Sequence, residues 1–198
     1  RLFLSFKNFY EEHQKIFYIK RRNGFGSLSC WSRSEMILLI NICKEKLHFY
    51  EFVKPIEDVL KKEKIKFITK HYLKISKRDL QKASKIIICG TSLKDNEFLE
   101  HVKQFEWIKD CNKPILGICG GAHLVGLTLG EKIEKKTQIG LKHINFKKPF
   151  LGFSGKKQVY HLHNLQVLPE VFHKKNIYSV LFHPEVRNKE MILNFARL

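Results

Sequence analysis

The stretch Lys113-Pro114-Ile115-Leu116-Gly117-Ile118-Cys119-Gly120-Gly121-Ala122-His123-Leu124-Val125 constrains the fold more than any other part of the chain. It reads as a short buried strand, a tight glycine turn and then a helix. Cys119 sits at the turn, inside a G-x-C-x-G pattern that has the form of a nucleophile elbow with sulfur in place of oxygen. Glycines are required there because the elbow residue is strained and its neighbours must leave room for backbone. The helix that follows aims its N-terminus at the sulfur, which is expected to favour thiolate. By itself such a cysteine is as easily a small buried hydrophobe as a nucleophile. Its meaning depends on what the rest of the chain brings to it.

The flanking sequence alternates between strand-length apolar runs and helical spacing. Met36 to Ile42, Ile65 to Thr69, Lys85 to Cys89 and Pro114 to Ile118 read as strands. Between them, Glu51 to Lys64 carries Phe52, Ile56, Val59 and Leu60 at helical spacing, with Pro55 near enough to its start to be tolerated. Ser76 caps a short helix to Ala83, with Asp79 three residues on. Asn96 to Lys109 reads as a helix with Phe98, Leu99, Val102, Phe105 and Ile108 inward, and Gly121 to Leu129 as the helix after the elbow, closed by Gly130. This order specifies a three-layer α/β fold, a mostly parallel sheet flanked by helices on both faces. Ligands of such sheets bind beyond the carboxyl ends of the strands, where Cys119 and Cys89-Gly90-Thr91-Ser92 both fall. Beyond Gly130 the segments Gly140 to Phe146, Gln158 to His161 and Ile177 to Phe182 read as smaller, partly antiparallel strands completing the sheet, and Asn188 to Leu198 as a closing helix.

Residues 1–35 differ in character and end in a Gly/Ser-rich piece. They read either as an extension of a domain that spans 36–198 or, through their Phe- and Tyr-rich part, as a helix packed on it. Five cysteines without C-x-x-C spacing argue for a reducing, cytoplasmic setting rather than a disulfide framework. No apolar run approaches the roughly 18 residues of a membrane span, so no membrane association is expected. The formal charge of +18 would suit an acidic partner. Its lysines are scattered along the chain and no RNA-binding signature accompanies them, so nucleic acid is not the expected ligand.

The decisive second piece is Tyr178-Ser179-Val180-Leu181-Phe182-His183-Pro184-Glu185-Val186. An apolar strand delivers His183; the proline ends the strand, and Glu185 follows. A cysteine nucleophile needs a base to shuttle its proton and a third group to orient that base. Cys119, His183 and Glu185 can fill those roles. His161 and His163 alternate on one strand face, but no third ligand is placed, so neither a metal nor another cofactor is expected.

With these residues in view, the chain from Met36 to Leu198 resembles the class I, triad-type glutamine amidotransferases. The family's G-I-C-x-G elbow appears as Gly117 to Gly121, and its F-H-P-E as Phe182 to Glu185. Its S-H segment before V-x-x-L-P has a similar shape in Val159 to Pro169, with His163 at the histidine, and its closing N-F pair is Asn194-Phe195.

The resemblance implies a flavodoxin-like sheet and hydrolysis of the glutamine side-chain amide by way of a cysteine thioester. It implies glutamine as substrate and a separate synthetase as ammonia acceptor, since the chain shows no P-loop. The oxyanion would be held by the backbone N–H of Gly120 and by the loop at Gly90 and Thr91. That loop departs from the family's S-G-G-P, so its half of the hole is expected to need a partner or ligand to order it. His123 replaces the family's usual glutamine and could alter substrate choice; the plainer reading puts it on the polar side of a helix. Two rivals stay open: a γ-glutamyl peptide or small-amide hydrolase on the same scaffold, and a catalytically silent regulatory domain.

Overall fold

The computed structural model describes residues 36–198; the expectations for residues 1–35 lie outside the described residues. Strands β1 (Ile37–Asn41), β2 (Phe67–His71), β3 (Lys85–Ile88), β4 (Ile115–Ile118), β7 (Val171–Lys174) and β8 (Ile177–Val180) form one sheet in the order β2-β1-β3-β4-β8-β7. All pairings but the last are parallel; β7 runs antiparallel to β8 at the edge. The order reverses direction at β1, as in flavodoxin-like sheets.

The central strands are apolar at most positions because both faces are covered. Ile37, Leu39, Ile87, Leu116 and Ile118 pack with Phe52, Ile56, Leu60, Met191, Ile192 and Phe195 on one face. Leu38, Ile40, Ile86, Ile88 and Ile115 pack with Phe98, Phe105, Leu124 and Val125 on the other. Helices Lys54–Lys62 and Lys189–Ala196 thus lie on the first face, and the elbow helix Gly120–Thr128 on the second. The Ser76–Asp79 capping box is present, and the elbow helix ends as a Schellman motif, Gly130 N–H to Leu127 O and Glu131 N–H to Gly126 O.

Three expectations need correction. The helix anticipated from Glu51 begins earlier: a short α segment, Lys46–His48, runs through a π turn, Phe49–Val53, into Lys54–Lys62. Pro55 has no N–H to give to an α ladder, so the ladder restarts around it. The segment Glu97–Ile108 is 3-10 rather than α, broken at His101. Leu99, Val102, Phe105 and Ile108 are spaced by three, which matches a three-residue turn better than 3.6.

Thirdly, Gly140 to Phe146 and Gln158 to His161 do not complete the sheet. They belong to β5 (Glu134–Phe150) and β6 (Phe153–Gln166), a separate antiparallel ribbon. Along the ribbon, buried apolar residues (Ile144, Phe146, Phe150, Phe153 and Val159) are interspersed with exposed lysines (Lys135, Lys142, Lys147, Lys156 and Lys157). Such strands pack face-on against a core instead of entering a sheet that is covered on both sides. Their turn is Leu151-Gly152, with φ of 45° and 79°, the pair of positive values that a type I′ hairpin requires. Leu151 is held there by burial and by Asn194 Nδ2–H donating to its carbonyl at 2.9 Å.

Candidate active site

Four strand ends meet above the sheet. Cys43 lies beyond β1, Gly90 follows β3, Cys119 follows β4, and His183 lies beyond β8. Cys119 has φ 47° and ψ −103°, a conformation that costs a non-glycine residue on the order of 1–3 kcal/mol. The turn is held by Cys119 N–H donating to Val180 O at 2.8 Å and by Gly121, where any Cβ would run into the Ile88 carbonyl. This is the strained geometry that the glycines of the elbow were expected to permit.

The structure brings His183 and Glu185 into contact: Nδ1 lies 2.7 Å from Glu185 Oε1, and both side chains are fully buried. Phe52, from the π turn, packs on the ring at 5.1 Å between centroids. Gly90 lies between His183 and Cys119. A Cβ at position 90 would stand 2.8 Å from His183 Cε1 and 3.4 Å from Cys119 Cβ. Burial, the largest single influence, opposes charge on the His183 ring. The Glu185 carboxylate and then Cys119 outweigh it and hold the ring's pKa well above its ordinary value. His183 Nε2 is buried with no hydrogen-bond partner among the described residues, and the Cys119 thiol donates to Leu162 O at 3.5 Å.

Thr91, Gly120, His123 and His163 line one narrow pocket with Cys119. Its volume, about 10 Å³, holds about one water, so a substrate must displace part of the wall. Gly90 is not among the residues lining this pocket and lies beside Cys119, against the His183 ring. His123 is not on a polar helix face: it is 4% exposed, in a helix buried along nearly its whole length. Its Nε2 lies 3.0 Å from Leu165 O, to which His163 Nδ1 also points at 3.0 Å. A carbonyl only accepts, so both of these nitrogens carry the proton. His163 Nε2 then accepts from His161 Nδ1 at 3.2 Å. Burial pulls His123 and His161 down to about 4 and lowers His163 as well, so the three rings are neutral.

Several side chains here carried no signal in the sequence. Asp95 accepts from Lys44 N–H at 2.9 Å, Thr91 Oγ1–H at 2.7 Å and His48 Nδ1 at 2.9 Å, tying the loop after β3 to the chain after β1. Cys43 Sγ reaches Gly90 O at 3.6 Å. Burial pushes the Cys43 thiol up to about 12 and Cys89 well above its ordinary value, so neither supplies thiolate. The ribbon also enters the site: His183 N–H donates to Tyr160 O at 2.8 Å, and His161 forms an isolated bridge with Phe182.

A family model described as glutamine amidotransferase class-I matches residues 48–171, more than half of the chain. The chain belongs to the class-I glutamine amidotransferase family. The matched region contains the elbow and stops short of His183 and Glu185.

Among amidotransferase relatives, the glutamine-hydrolysing GMP synthase of Staphylococcus epidermidis is 34% identical over 110 residues, covering 42% of this chain and 21% of that protein. The Staphylococcus aureus enzyme matches to the same extent. The chain thus spans about a fifth of the length of these curated relatives. A provisionally assigned GMP synthase subunit from Thermoplasma acidophilum superposes with a TM-score of 0.69 at 20% identity, over 83% of this chain and 93% of that one. A Thermotoga maritima glutamine amidotransferase superposes at 0.57 and 18% identity, over 77% and 76%. Both likenesses bear on the fold, a class-I amidotransferase sheet. No described helix is long and apolar enough to cross a membrane.

Proposed function

We propose that residues 36–198 are a glutaminase domain that hydrolyses the side-chain amide of glutamine and passes ammonia to a synthetase. The observation that carries this reading is the strained Cys119 beside a buried His183–Glu185 pair, in a chain of this family. The Cys119 thiolate attacks the amide carbon. His183 protonates the departing ammonia and later takes a proton from water as the thioester is cleaved. Glu185 holds the ring by Nδ1 and favours its charged form. The developing oxyanion is met by the Gly120 N–H at the helix N-terminus and by the backbone at Gly90 and Thr91. His123 Nδ1, a buried lone pair in the pocket wall, accepts an N–H of the substrate, where the family more often places a glutamine.

The test is direct. Purified protein given glutamine releases ammonia and glutamate, and Cys119→Ser and His183→Ala each abolish release. Equal rates in wild type and Cys119→Ser would overturn the mechanism.

A further inference from the structure

Beside the narrow pocket lies a much larger cleft, about 950 Å³ in volume. The two share a wall made of Ser92, Leu93, Asn96 and Leu162. Displacing that wall, which a substrate must do to reach Cys119, joins them. The cleft runs against the charge of the chain. In a protein of net charge +18 it is lined by Glu45, Glu51, Asp95, Glu97 and Glu100 against Lys44, Lys94 and His48, the last bonded to Asp95. Lys44 is already paired with Glu97 at 2.7 Å, which leaves three exposed glutamates facing Lys94. A second observation points the same way. The Asp95 carboxylate is 6% exposed and lines this cleft, and its Oδ1 has no hydrogen-bond partner among the described residues, although Oδ2 has three. An unpartnered carboxylate oxygen in the buried lining of an acidic cleft is suited to a cation.

We infer that the cleft is a cation subsite for the leaving group, and that the substrate class includes γ-glutamyl amides of diamines. This rests on the cysteine mechanism proposed above and extends it. The α-carbon end of glutamine does not account for the cleft. It carries one ammonium and one carboxylate, so an acidic cleft offers it no net attraction. A diamine amide places a lone ammonium on the far side of the scissile bond, and that group is a net cation. The chemistry balances without a further reactant. A C–S bond forms at the γ-carbonyl as its C–N bond breaks, and His183 gives its proton to the departing amine. Water then forms the C–O bond as the C–S bond breaks, and its proton returns to sulfur through His183. The products are glutamate and the free diamine.

The test compares kcat/KM of the full chain for three substrates, by glutamate release: the γ-glutamyl amide of 1,4-diaminobutane, that of butylamine, and glutamine. The two amides have the same carbon chain and differ in the terminal ammonium. The diamine amide is expected to be preferred by about tenfold at low salt, the combined effect of a few partly exposed charges. The double variant Glu51→Gln/Glu100→Gln, which changes charge at exposed positions with little change of shape, should cut that preference below about threefold. Equal use of the two amides overturns the inference, as does an unaltered preference in the double variant. Turnover of glutamine but of neither amide also overturns it while leaving the glutaminase reading intact; turnover of none of the three removes both.

Discussion

Substituting Gly90 with alanine tests the active-site geometry without removing a reacting side chain. The new Cβ would stand 2.8 Å from His183 Cε1. Comfortable carbon–carbon contact begins near 3.5 Å, so the ring must recede by roughly 1 Å. It has little room to do so, with Phe52 packed on it at 5.1 Å and Glu185 bonded to Nδ1 at 2.7 Å. Overpacking of this kind costs about 1–3 kcal/mol, and a catalytic group misplaced by about 1 Å costs about a hundredfold in rate. For a domain of this size the stability loss lowers Tm by about 2–4 °C per kcal/mol. Steady-state glutamine hydrolysis and a thermal melt, run side by side, read both quantities. The expected result for Gly90→Ala is kcat down about a hundredfold, KM within about threefold, and a folded protein with a lowered Tm. A variant with wild-type kcat and Tm would refute the reasoning, because then His183 is either not confined or not the base.

Further outcomes follow from the same structure. A thiol-directed electrophile at neutral pH should modify Cys119 before Cys43 or Cys89, whose thiols burial keeps protonated, as peptide mapping by mass spectrometry would read out. Asp95→Ala strips acceptors from the Lys44 N–H, Thr91 and His48 and should cost about 1–3 kcal/mol in denaturant unfolding. Stability should also fall in mild acid. His123 and His161 sit at about 4 in the fold against about 6.5 unfolded, so the unfolded chain binds protons first. Their contribution is complete above about pH 6.5 and drains as pH falls toward 4. Urea midpoints across that range check it, and His161→Phe should flatten the slope. Ser76→Ala removes the capping box far from the site and should cost about 1 kcal/mol with unchanged turnover.

Local chemistry was legible in the sequence where a short segment dictates its own geometry. The elbow glycines, the Ser76–Asp79 box and the strand-proline stop at His183-Pro184 each announce themselves within a few residues. The alternation of apolar runs and helical spacing also gave the order of strands and helices. What stayed hidden depends on long-range packing. Asp95 and Cys43 become site residues only because β1 and β3 are neighbours in the sheet. Phe52 reaches His183 through a π turn that Pro55 imposes from just downstream. The ribbon escaped notice because its turn, Leu151-Gly152, lacks the usual Asn-Gly or Asp-Gly, the positive φ at Leu151 being supported by burial and by Asn194 more than forty residues away. Of the two readings of His123, substrate contact and a polar helix face, the second failed because a helix burying all its sides shows no periodicity to betray which positions face solvent.

The lysine-studded ribbon looks from outside like a detachable ornament, yet Tyr160 and Leu162 lend their carbonyls to the backbone of the histidine and to the sulfur. Shortening it, or exchanging it for the corresponding hairpin of another protein, would therefore not yield a trimmed enzyme. Such an edit would leave a sound sheet whose chemical groups had lost one wall of their mould.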